Sequence, residues 1–467
     1  MYQKIILFIP LLLFILLIKQ PPQNCDIWWH MQIGRDILEN QIWPSPDRYS
    51  YITNETEWVV HSWLADCLFY GAYRLCGESS LVLMRYVFHG SFALFLIWIS
   101  IKKGIKKELA VCVGLVGLYM VSYREIRPFL FSQLFISYLF LFIATSQPPL
   151  MMAISVPIVM LIWVNIHPLS LAFSLVIGLI FVFLIFFKKR YPEYSSTYLF
   201  AILIALPLSL IHPTPASLLW RFFEAPSYPT PDWDSMIVLA YRQRLTPFLF
   251  EAFLLIAIAL WFAYVFLIRK CADKKYPAEM FFSSICLLMA ILYMRSAWMI
   301  VFPLISALSL HDIGSRWLGE SKKGAWKIPF YAFVILQIFR GHLPPKPYFP
   351  QSAVRYINEN HIKGNFFTDW FWSGYLTFYT DANAKVFVDT RIEPFTSEQI
   401  ALYWKAKYYI AENLEYLVNY NTEYILLTPE DADSAELVKN NLAEILESSN
   451  EHVLLKINVP EVKRMLN

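Results

Sequence analysis

The chain has 467 residues, of which 57% are hydrophobic and only 16% are charged, and its mean hydropathy is +0.44. A soluble protein of this length could not bury so much apolar surface, so the composition predicts a polytopic membrane protein. The formal net charge of +3 at pH 7 is too small to indicate a nucleic-acid partner.

Apolar segments recur up to residue 340 and predict a bundle of about eleven membrane-spanning helices. The first segment, Ile5 to Ile18, is as short as a signal-peptide core. It is followed by Lys19-Gln20-Pro21-Pro22 rather than by a small-residue cleavage site, which favours an uncleaved anchor. The predicted spans lie near 4–19, 80–101, 108–123, 128–145, 151–166, 169–187, 197–211, 247–268, 278–294, 297–310 and 325–340.

Lys and Arg clusters follow the second, sixth, eighth and tenth of these segments, at 102–107, 188–190, 269–275 and 316–323. All four clusters fall on one side, which the distribution of basic residues identifies as the cytoplasm. The N-terminus is then cytoplasmic. Three pieces lie outside the cell membrane: the loop 20–79, the segment 212–246 and the tail after Leu343.

The tail, residues 344–467, changes character and predicts a small extracytoplasmic α/β domain after a stiff Pro344–Pro347 linker. The fold class is therefore a mainly α, polytopic membrane domain over 1–343 with a C-terminal α/β domain. The predicted strands are 364–369, 385–389, 423–427 and 453–459, and the predicted helices are 397–411 and 435–448.

Ionisable side chains recur at the ends of the apolar segments on the predicted outer side. The cytoplasmic turns carry almost only Lys and Arg, whereas the outer turns mix acids, His and Arg, as a site for an anionic substrate requires. For each residue alone an interpretation without a functional role also holds, because loops are polar and Arg side chains extend from helix ends to the interface. The residues are Asp26, His30, Arg124, Glu125, Arg127, Asn165, His167, His212 and Arg295.

The loop 20–79 adds further candidates. Asp47 follows Pro44 and Pro46 in a predicted turn and is expected to be an exposed acid. His61 lies in an aromatic amphipathic helix that the pattern places from Trp58 to Leu75, along the membrane interface. Three cysteines, at positions 25, 67 and 76, allow one disulfide with one thiol left over. No phosphate loop or dinucleotide fingerprint occurs, so the sequence gives no sign of ATP or nicotinamide use.

Several motifs together resemble a bacterial group of polytopic proteins similar to the GT-C glycosyltransferases, which include protein mannosyltransferases, aminoarabinose transferases and oligosaccharyltransferases. The similarity spans most of the chain. The motifs are Asp26-x-Trp28-Trp29-His30, Gly34–Asn40, Pro44-x-x-Asp47-x-Tyr49-Ser50, Trp58-Val59-x-His61-x-Trp63-Leu64, Arg127-Pro128, Asn165-x-His167, His212-Pro213, Phe367-x-Asp369-Trp370-x-Trp372-x-Gly374-Tyr375-Leu376 and Lys385-Val386-Phe387-Val388-Asp389-x-Arg391.

The resemblance implies a sugar transferase that uses a polyprenyl-phosphate-linked sugar as donor. By position Asp26 is the first-loop acid and Asp47 the second, with His30 beside them as a catalytic candidate. Arg127 and Arg295 are the expected ligands of the lipid phosphate. His61, His167 and His212 complete the expected substrate contacts, and a requirement for a divalent metal ion stays open.

The sequence departs from the group at Ser62, where an acid is usual, at Pro168, where Gly is common, and at Pro213-Thr214-Pro215, where Pro-Tyr-Gly is common. Two other functions therefore stay open. One is a transporter or flippase for a lipid-linked substrate, for which Arg85, His89 and Glu251 are the ionisable residues within spans. The other is a non-catalytic membrane assembly protein that displays its tail, where Asp369, Asp389 and Arg391 lie at strand ends.

Overall fold

The computed structural model describes residues 25–53, 56–121, 126–146, 148–187, 189, 191–192, 194–223, 277–292, 294–310 and 349–465. The chain divides into two compact units. Unit 1 comprises residues 1–22, 82–222 and 229–344, and unit 2 comprises residues 23–81, 223–228 and 345–467. The first outer loop thus belongs with the tail, whereas the predicted division at residue 344 grouped it with the bundle.

The described elements are mostly helical. The helices are α1 Asp26–Leu38, α2 Trp63–Cys76, α3 Glu78–Lys102, α4 Lys107–Met120, α5 Phe129–Ile143, α6 Leu150–Ile166, α7 Leu169–Phe186, α8 Ser196–Leu208, α9 Pro215–Phe223, α10 Pro277–Leu292, α11 Val301–Leu310, α12 Gln351–Glu359, α13 Ser373–Tyr379, α14 Ser397–Tyr408, α15 Ile410–Asn419, α16 Ser434–Lys439 and α17 Val459–Met465. A 3₁₀ helix covers Met294–Ile300, and the strands are β1 Gly364–Thr368, β2 Ala384–Val386, β3 Tyr424–Leu427, β4 Ala443–Ser448 and β5 Val453–Ile457.

Eight predicted spans fall on described residues, and each coincides with a helix between α3 and α11. By length and apolar composition, α3 and α7 are the two described helices that could cross a membrane, and five others are shorter and apolar. The predicted spans 4–19, 247–268 and 325–340 lie outside the described residues, as do the Pro344–Pro347 linker, Arg124, Glu125 and Glu251.

Unit 1 has an aromatic core and an apolar exterior. Trp163 packs on Phe173, whose ring lies 5.4 Å from that of Phe282, so helices from distant parts of the sequence share one core. Outward-facing side chains are equally apolar: Leu179 on α7 is 57% exposed. Helices that are apolar on all faces are typical of protein surrounded by lipid. Other exposed apolar residues of these helices are Leu83, Val87, Leu94, Ile154, Ile158, Leu175, Val182, Phe200 and Leu203.

Unit 2 is built on a five-stranded sheet of order β2-β1-β3-β5-β4. β1 pairs in parallel with both β2 and β3, whereas β5 is antiparallel to β3 and β4. The first loop extends the sheet at the β2 edge, because the Val386 N–H donates to Tyr49 O (2.9 Å) and the Tyr51 N–H donates to Val386 O (3.2 Å). The loop therefore covers an edge that would otherwise present unpaired backbone groups.

Most tail predictions agree with the structure, with three exceptions. The predicted strand 385–389 begins and ends earlier, because β2 is Ala384–Val386. The predicted helix 435–448 is wrong in its second half, where α16 ends at Lys439 and β4 follows. β4 alternates buried and exposed residues only weakly, so its apolar residues also fit a helical pattern. The predicted helix 397–411 ends at Tyr408, where Tyr409 leaves helical geometry before α15 begins.

Candidate functional site

The two groups of predicted site residues lie in different units. Asp26, His30, Asp47 and His61 belong to unit 2, and Arg127, His167, His212 and Arg295 belong to unit 1. That both groups line one pocket stays a prediction.

Asp26 is the first residue of α1 and is buried. A carboxylate in the first helical turn is stabilised by the positive end of the helix dipole. Its Oδ1 accepts a weak hydrogen bond from the Cys25 thiol at 3.5 Å. A side chain at position 374 would lie 3.3 Å from Cys25 O and 3.2 Å from Trp29 N, so Gly374 lets the tail approach this turn closely.

Two of the motifs that carry the family resemblance therefore contact each other. Trp28, from the first loop, lies edge-on to Tyr375, from the tail, with ring centroids 5.1 Å apart. Phe349, Phe378 and Tyr379 also contact Trp28. This contact could not be predicted from the sequence, since no periodicity links segments so far apart.

His30 forms a buried pair with Asp66, joining α1 to α2. Its Nδ1 lies 2.5 Å from Asp66 Oδ1, and its ring stacks on Trp29 at 3.6 Å. Ser62 donates a hydrogen bond to the same carboxylate oxygen. Burial raises the pKa of Asp66 well above its usual value, against the opposing effects of the His61 charge and the Ser62 hydroxyl. The pair thus joins the N-terminal halves of both helices.

Asp47 is buried, so the expectation of an exposed acid is wrong. The Arg391 guanidinium donates to Asp47 Oδ1 at 2.7 Å and to both oxygens of Asp389 at 2.6 to 2.9 Å. Arg391 also lies over the rings of Tyr49 and Trp58, with its central carbon 4.9 and 4.8 Å from their centroids. One guanidinium therefore holds an acid of the first loop against an acid of the tail.

The electrostatics of this cluster keep Asp47 charged. Burial alone would raise the pKa of Asp47, but the Arg391 charge, with hydrogen bonds from Thr53 and the Tyr49 N–H, holds it below its usual value. Burial would lower the pKa of Arg391, but the two carboxylates raise it. Asp389 shares the guanidinium with a second acid, and burial raises its pKa.

Unit 1 gathers its predicted residues at one end, which we call the polar end: residues 126–133, 163–170, 209–214 and 294–300. Ser132 Oγ lies 3.2 Å from His167 Nδ1, and the Phe129 ring contacts both His167 and Trp298. The Asn165 amide donates to Ile211 O at 2.8 Å, which joins the α6–α7 turn to the end of α8.

The two histidines of the polar end sit in equivalent His-Pro-x turns. His167 Nδ1 accepts from the Leu169 N–H at 3.4 Å, and His212 Nδ1 accepts from the Thr214 N–H at 3.1 Å. Because Nδ1 is an acceptor in both, the proton of each neutral ring sits on Nε2. Both turns therefore orient an imidazole N–H donor.

The remaining predicted residues are Arg127, Arg295 and His61. Arg127 belongs to the polar end and lies two residues before Phe129, the first residue of α5. Arg295 lies in the 3₁₀ helix Met294–Ile300, and its side chain is outside the described part of the chain. His61 is partly exposed, 4.0 Å from Glu393. It precedes α2, which begins at Trp63, so the predicted helix start at Trp58 is wrong.

Sequence reasoning missed the contacts that anchor these groups. Asp66 was not a candidate, and Arg391 was expected at a strand end of the tail without its first-loop partner Asp47. Both residues pair with residues that are distant in the sequence, which no local pattern marks. Gln133, whose Oε1 lies 3.1 Å from His89 Nδ1, adds a buried polar contact beside the polar end. A polar residue on an otherwise apolar helix was the available signal for it.

Metal binding and disulfide formation were both open from the sequence. Within the described residues, no group of three His, Cys, Asp or Glu side chains could hold a metal ion. Asp47 does not fit as a ligand, because Arg391, Thr53 and backbone N–H groups already occupy both oxygens. None of the described cysteines, including Cys25, Cys67 and Cys76, forms a disulfide.

No protein-family model and no curated protein matches the sequence. The fold, however, matches solved structures. ArnT from Cupriavidus metallidurans, bound to undecaprenyl phosphate, aligns with a TM-score of 0.55 at 12% identity over 97% of this chain and 98% of that one. The chain has the fold of the GT-C glycosyltransferases. The resemblance seen in the motifs is thereby confirmed at the level of the fold.

The oligosaccharyltransferase of Archaeoglobus fulgidus shares the same fold. Its structure with a tethered acceptor peptide aligns with a TM-score of 0.56 at 13% identity over 87% of this chain. A second structure, of AglB with an inhibitory peptide and a dolichol-phosphate, gives 0.55 at 12% identity and covers 87% of this chain. This chain spans only 65% and 66% of those two chains, less than two thirds of their length.

Proposed function

We propose that this protein is a membrane glycosyltransferase that moves a sugar from a polyprenyl-phosphate donor to an acceptor at the outer face of the membrane. The observation that carries the proposal is the end-to-end fold similarity to a structure that binds undecaprenyl phosphate. The apolar exterior of unit 1 supports a membrane location. Eleven spans, a cytoplasmic N-terminus and an extracytoplasmic unit 2 are part of the same proposal.

The polar end of unit 1 is the proposed site for the lipid phosphate. Arg127 and Arg295 supply guanidinium groups, which bind phosphate through paired hydrogen bonds. His167 and His212 supply Nε2–H donors, oriented by their His-Pro-x turns. Donors fixed in this way stabilise the negative charge that develops on the departing phosphate.

Asp26 is the proposed general base. In this scheme the acceptor oxygen or nitrogen attacks the anomeric carbon and Asp26 takes its proton, while the bond from that carbon to the phosphate oxygen breaks and the polyprenyl phosphate leaves. We assign His30 a positioning role through Asp66 and Asp47 a structural role with Arg391. His61, which is partly exposed, is a proposed acceptor contact.

The first test is binding of undecaprenyl phosphate to the detergent-solubilised full chain. Replacing Arg127 with Ala should weaken binding about tenfold, the loss expected for one charged hydrogen-bonding group. Lys107→Ala, a change at an exposed cation at the start of α4, is the matched control and should bind as the wild type does. Absence of binding by the folded wild type would refute the proposal.

The second test separates binding from chemistry. Asp26→Asn should keep undecaprenyl phosphate binding and lose transfer of radiolabelled sugar from polyprenyl-phosphate-linked donors. Glu412→Gln, at an exposed acid of α15, is the control and should retain transfer. Full transfer by the Asp26 variant would remove this residue from the mechanism.

A further inference from the structure

The sheet of unit 2 has a switch point between β1 and β3. From β1 the chain crosses to β2 on one side, and from β2 it returns to β3 on the other side. In open sheets with parallel strands, ligands bind at the carboxyl ends of the strands at such a point. Asp369 directly follows β1, and Asp431 follows β3 by four residues.

A lysine joins the two acids at this edge. Lys407, in the last turn of α14, lies 2.5 Å from Asp369 Oδ2 and 3.6 Å from Asp431 Oδ2. The other oxygen of Asp369 accepts from the Phe371 N–H at 2.8 Å, which fixes the carboxylate plane. Hydrogen-bonding capacity remains, because a carboxylate can accept about four hydrogen bonds.

Stacked aromatic rings continue from this polar cluster to the surface. Trp370 stacks on Trp404 with centroids 5.6 Å apart, and Trp404 stacks on Tyr408 at 6.1 Å. Lys407 Nζ lies 5.7 Å from the Trp404 centroid, so charges and rings form one surface. Tyr408 is 66% exposed, and its neighbour Tyr409 is 56% exposed.

Two buried polar atoms beside this surface have no hydrogen-bond partner within the described residues: Thr368 Oγ1 and Trp404 Nε1. Thr368 is the last residue of β1, and Trp404 is the central ring of the stack. Buried polar atoms in native proteins nearly always have a partner, so both atoms are suited to a ligand or an ordered water.

We propose that the exposed Tyr408 ring, backed by the stacked Trp404 and the buried Trp370, forms a carbohydrate-binding site with Asp369, Lys407 and Asp431. Aromatic faces carry partial negative charge and attract the C–H bonds on one face of a pyranose ring. The adjoining carboxylates and ammonium group hydrogen-bond hydroxyls. Two carboxylates and one ammonium leave a net negative charge, which favours neutral or amino sugars over acidic ones.

The site is independent of the proposed chemistry, since it requires no donor lipid and no transfer. α14, which supplies three residues of the site, begins with a capping box: Thr396 Oγ1 accepts from the Gln399 N–H while the Gln399 side chain accepts from the Thr396 N–H. Such a capping box fixes the start of the helix that carries Trp404, Lys407 and Tyr408.

The experiment titrates the detergent-solubilised full chain with chitotetraose, cellotetraose and tetragalacturonate, followed by saturation-transfer NMR and calorimetry. We expect saturable binding of at least one neutral tetrasaccharide and none of tetragalacturonate. Tyr408→Ala should weaken binding about tenfold, the loss of one stacking contact. Asp369→Asn should weaken it too.

Tyr416→Ala is the matched control, because Tyr416 of α15 is 52% exposed and stacks on Tyr420, which directly follows that helix, without belonging to the cluster. It should bind as the wild type does. The proposal is overturned if neither neutral tetrasaccharide binds, if Tyr408→Ala binds as well as the wild type, or if tetragalacturonate binds equally. Loss of sugar transfer by itself would count against the proposed function only.

Discussion

The two units differ most in where their charged side chains lie. In unit 2 ionisable groups are buried against one another, as in the Asp47–Arg391–Asp389 cluster and the His30–Asp66 pair. In unit 1 the helices are apolar on both their buried and exposed faces, and polar contacts gather at the polar end and at a Lys103–Glu279 pair. Unit 2 is therefore held together by buried ion pairs, whereas the helices of unit 1 have an apolar exterior that suits an apolar environment.

Replacing Arg391, the central cation of unit 2, should have the largest effect on the free energy of unfolding. Arg391→Met leaves Asp47 and Asp389 buried without their counter-ion, and the free energy of unfolding should fall by about 3 to 5 kcal/mol. Arg355→Met, at an exposed position of α12, should change it by less than about 0.5 kcal/mol. Urea unfolding of the solubilised chain measures both, and equal stabilities would contradict the structural role of Arg391.

A charge introduced on the exposed face of α7 tests whether lipid surrounds unit 1. If lipid surrounds Leu179, Leu179→Lys should oppose membrane insertion by about 3 kcal/mol. Val438→Lys in unit 2, at a 40% exposed residue, should be nearly neutral. Recovery of each variant in the membrane fraction measures the difference, and equal recovery would argue against a lipid-facing surface at Leu179.

The contact between α1 and α2 can be tested with a pair of glycines. A Cβ at Gly34 would lie 2.2 Å from the Asp66 backbone oxygen, so Gly34→Ala should destabilise unit 2 by about 2 to 3 kcal/mol. A Cβ at Gly71, in the middle of α2, meets nothing within 4 Å, and Gly71→Ala should stabilise by up to about 1 kcal/mol. Thermal unfolding distinguishes the two, and a neutral Gly34→Ala would mean that the helices pack less closely.

The smallest expected change in stability is that of Asp47→Asn, and it depends on pH. Because the pKa of Asp47 is lowered in the folded state, its charge stabilises the fold above the unfolded value of about 3.9, and this contribution is lost as the pH falls through the folded pKa. Asp47→Asn should therefore cost about 1.5 kcal/mol at pH 7 and progressively less below about pH 4. A cost that stays constant or grows in acid would show that Asp47 is not ionised in the fold.

Local patterns were sufficient for much of the fold. Continuous apolar runs located the helices α3 to α8, α10 and α11 to within a few residues, because a helix that is apolar on all faces needs only length and composition to be recognised. The short helix α9 lies in the segment 212–246 and was not predicted. The β1 and β3 strands were found for the same reason, since short apolar runs ended at turn residues. β4 was missed because its sequence also suits a helix.

The candidate sites depended far more on contacts between distant residues. The residue types at the membrane ends were visible in the sequence, and the polar end of unit 1 does join His167 to Ser132 and Asn165 to the chain beside His212. Asp47 is the contrasting case. Its turn predicts exposure, but Arg391 reaches it from the tail and gives it a buried partner.

The amino-acid sequence by itself determined that this is an apolar helical chain with an α/β tail and a GT-C resemblance, because hydrophobic periodicity and short motifs are local properties. Only the tertiary structure decided which charges are paired, that residues 23–81 belong with the tail, and that Lys407 joins two acids beside a row of aromatic rings. Ion pairs and stacking act over a few ångströms in space. Their partners are therefore set by how the chain folds back on itself, which no local pattern records.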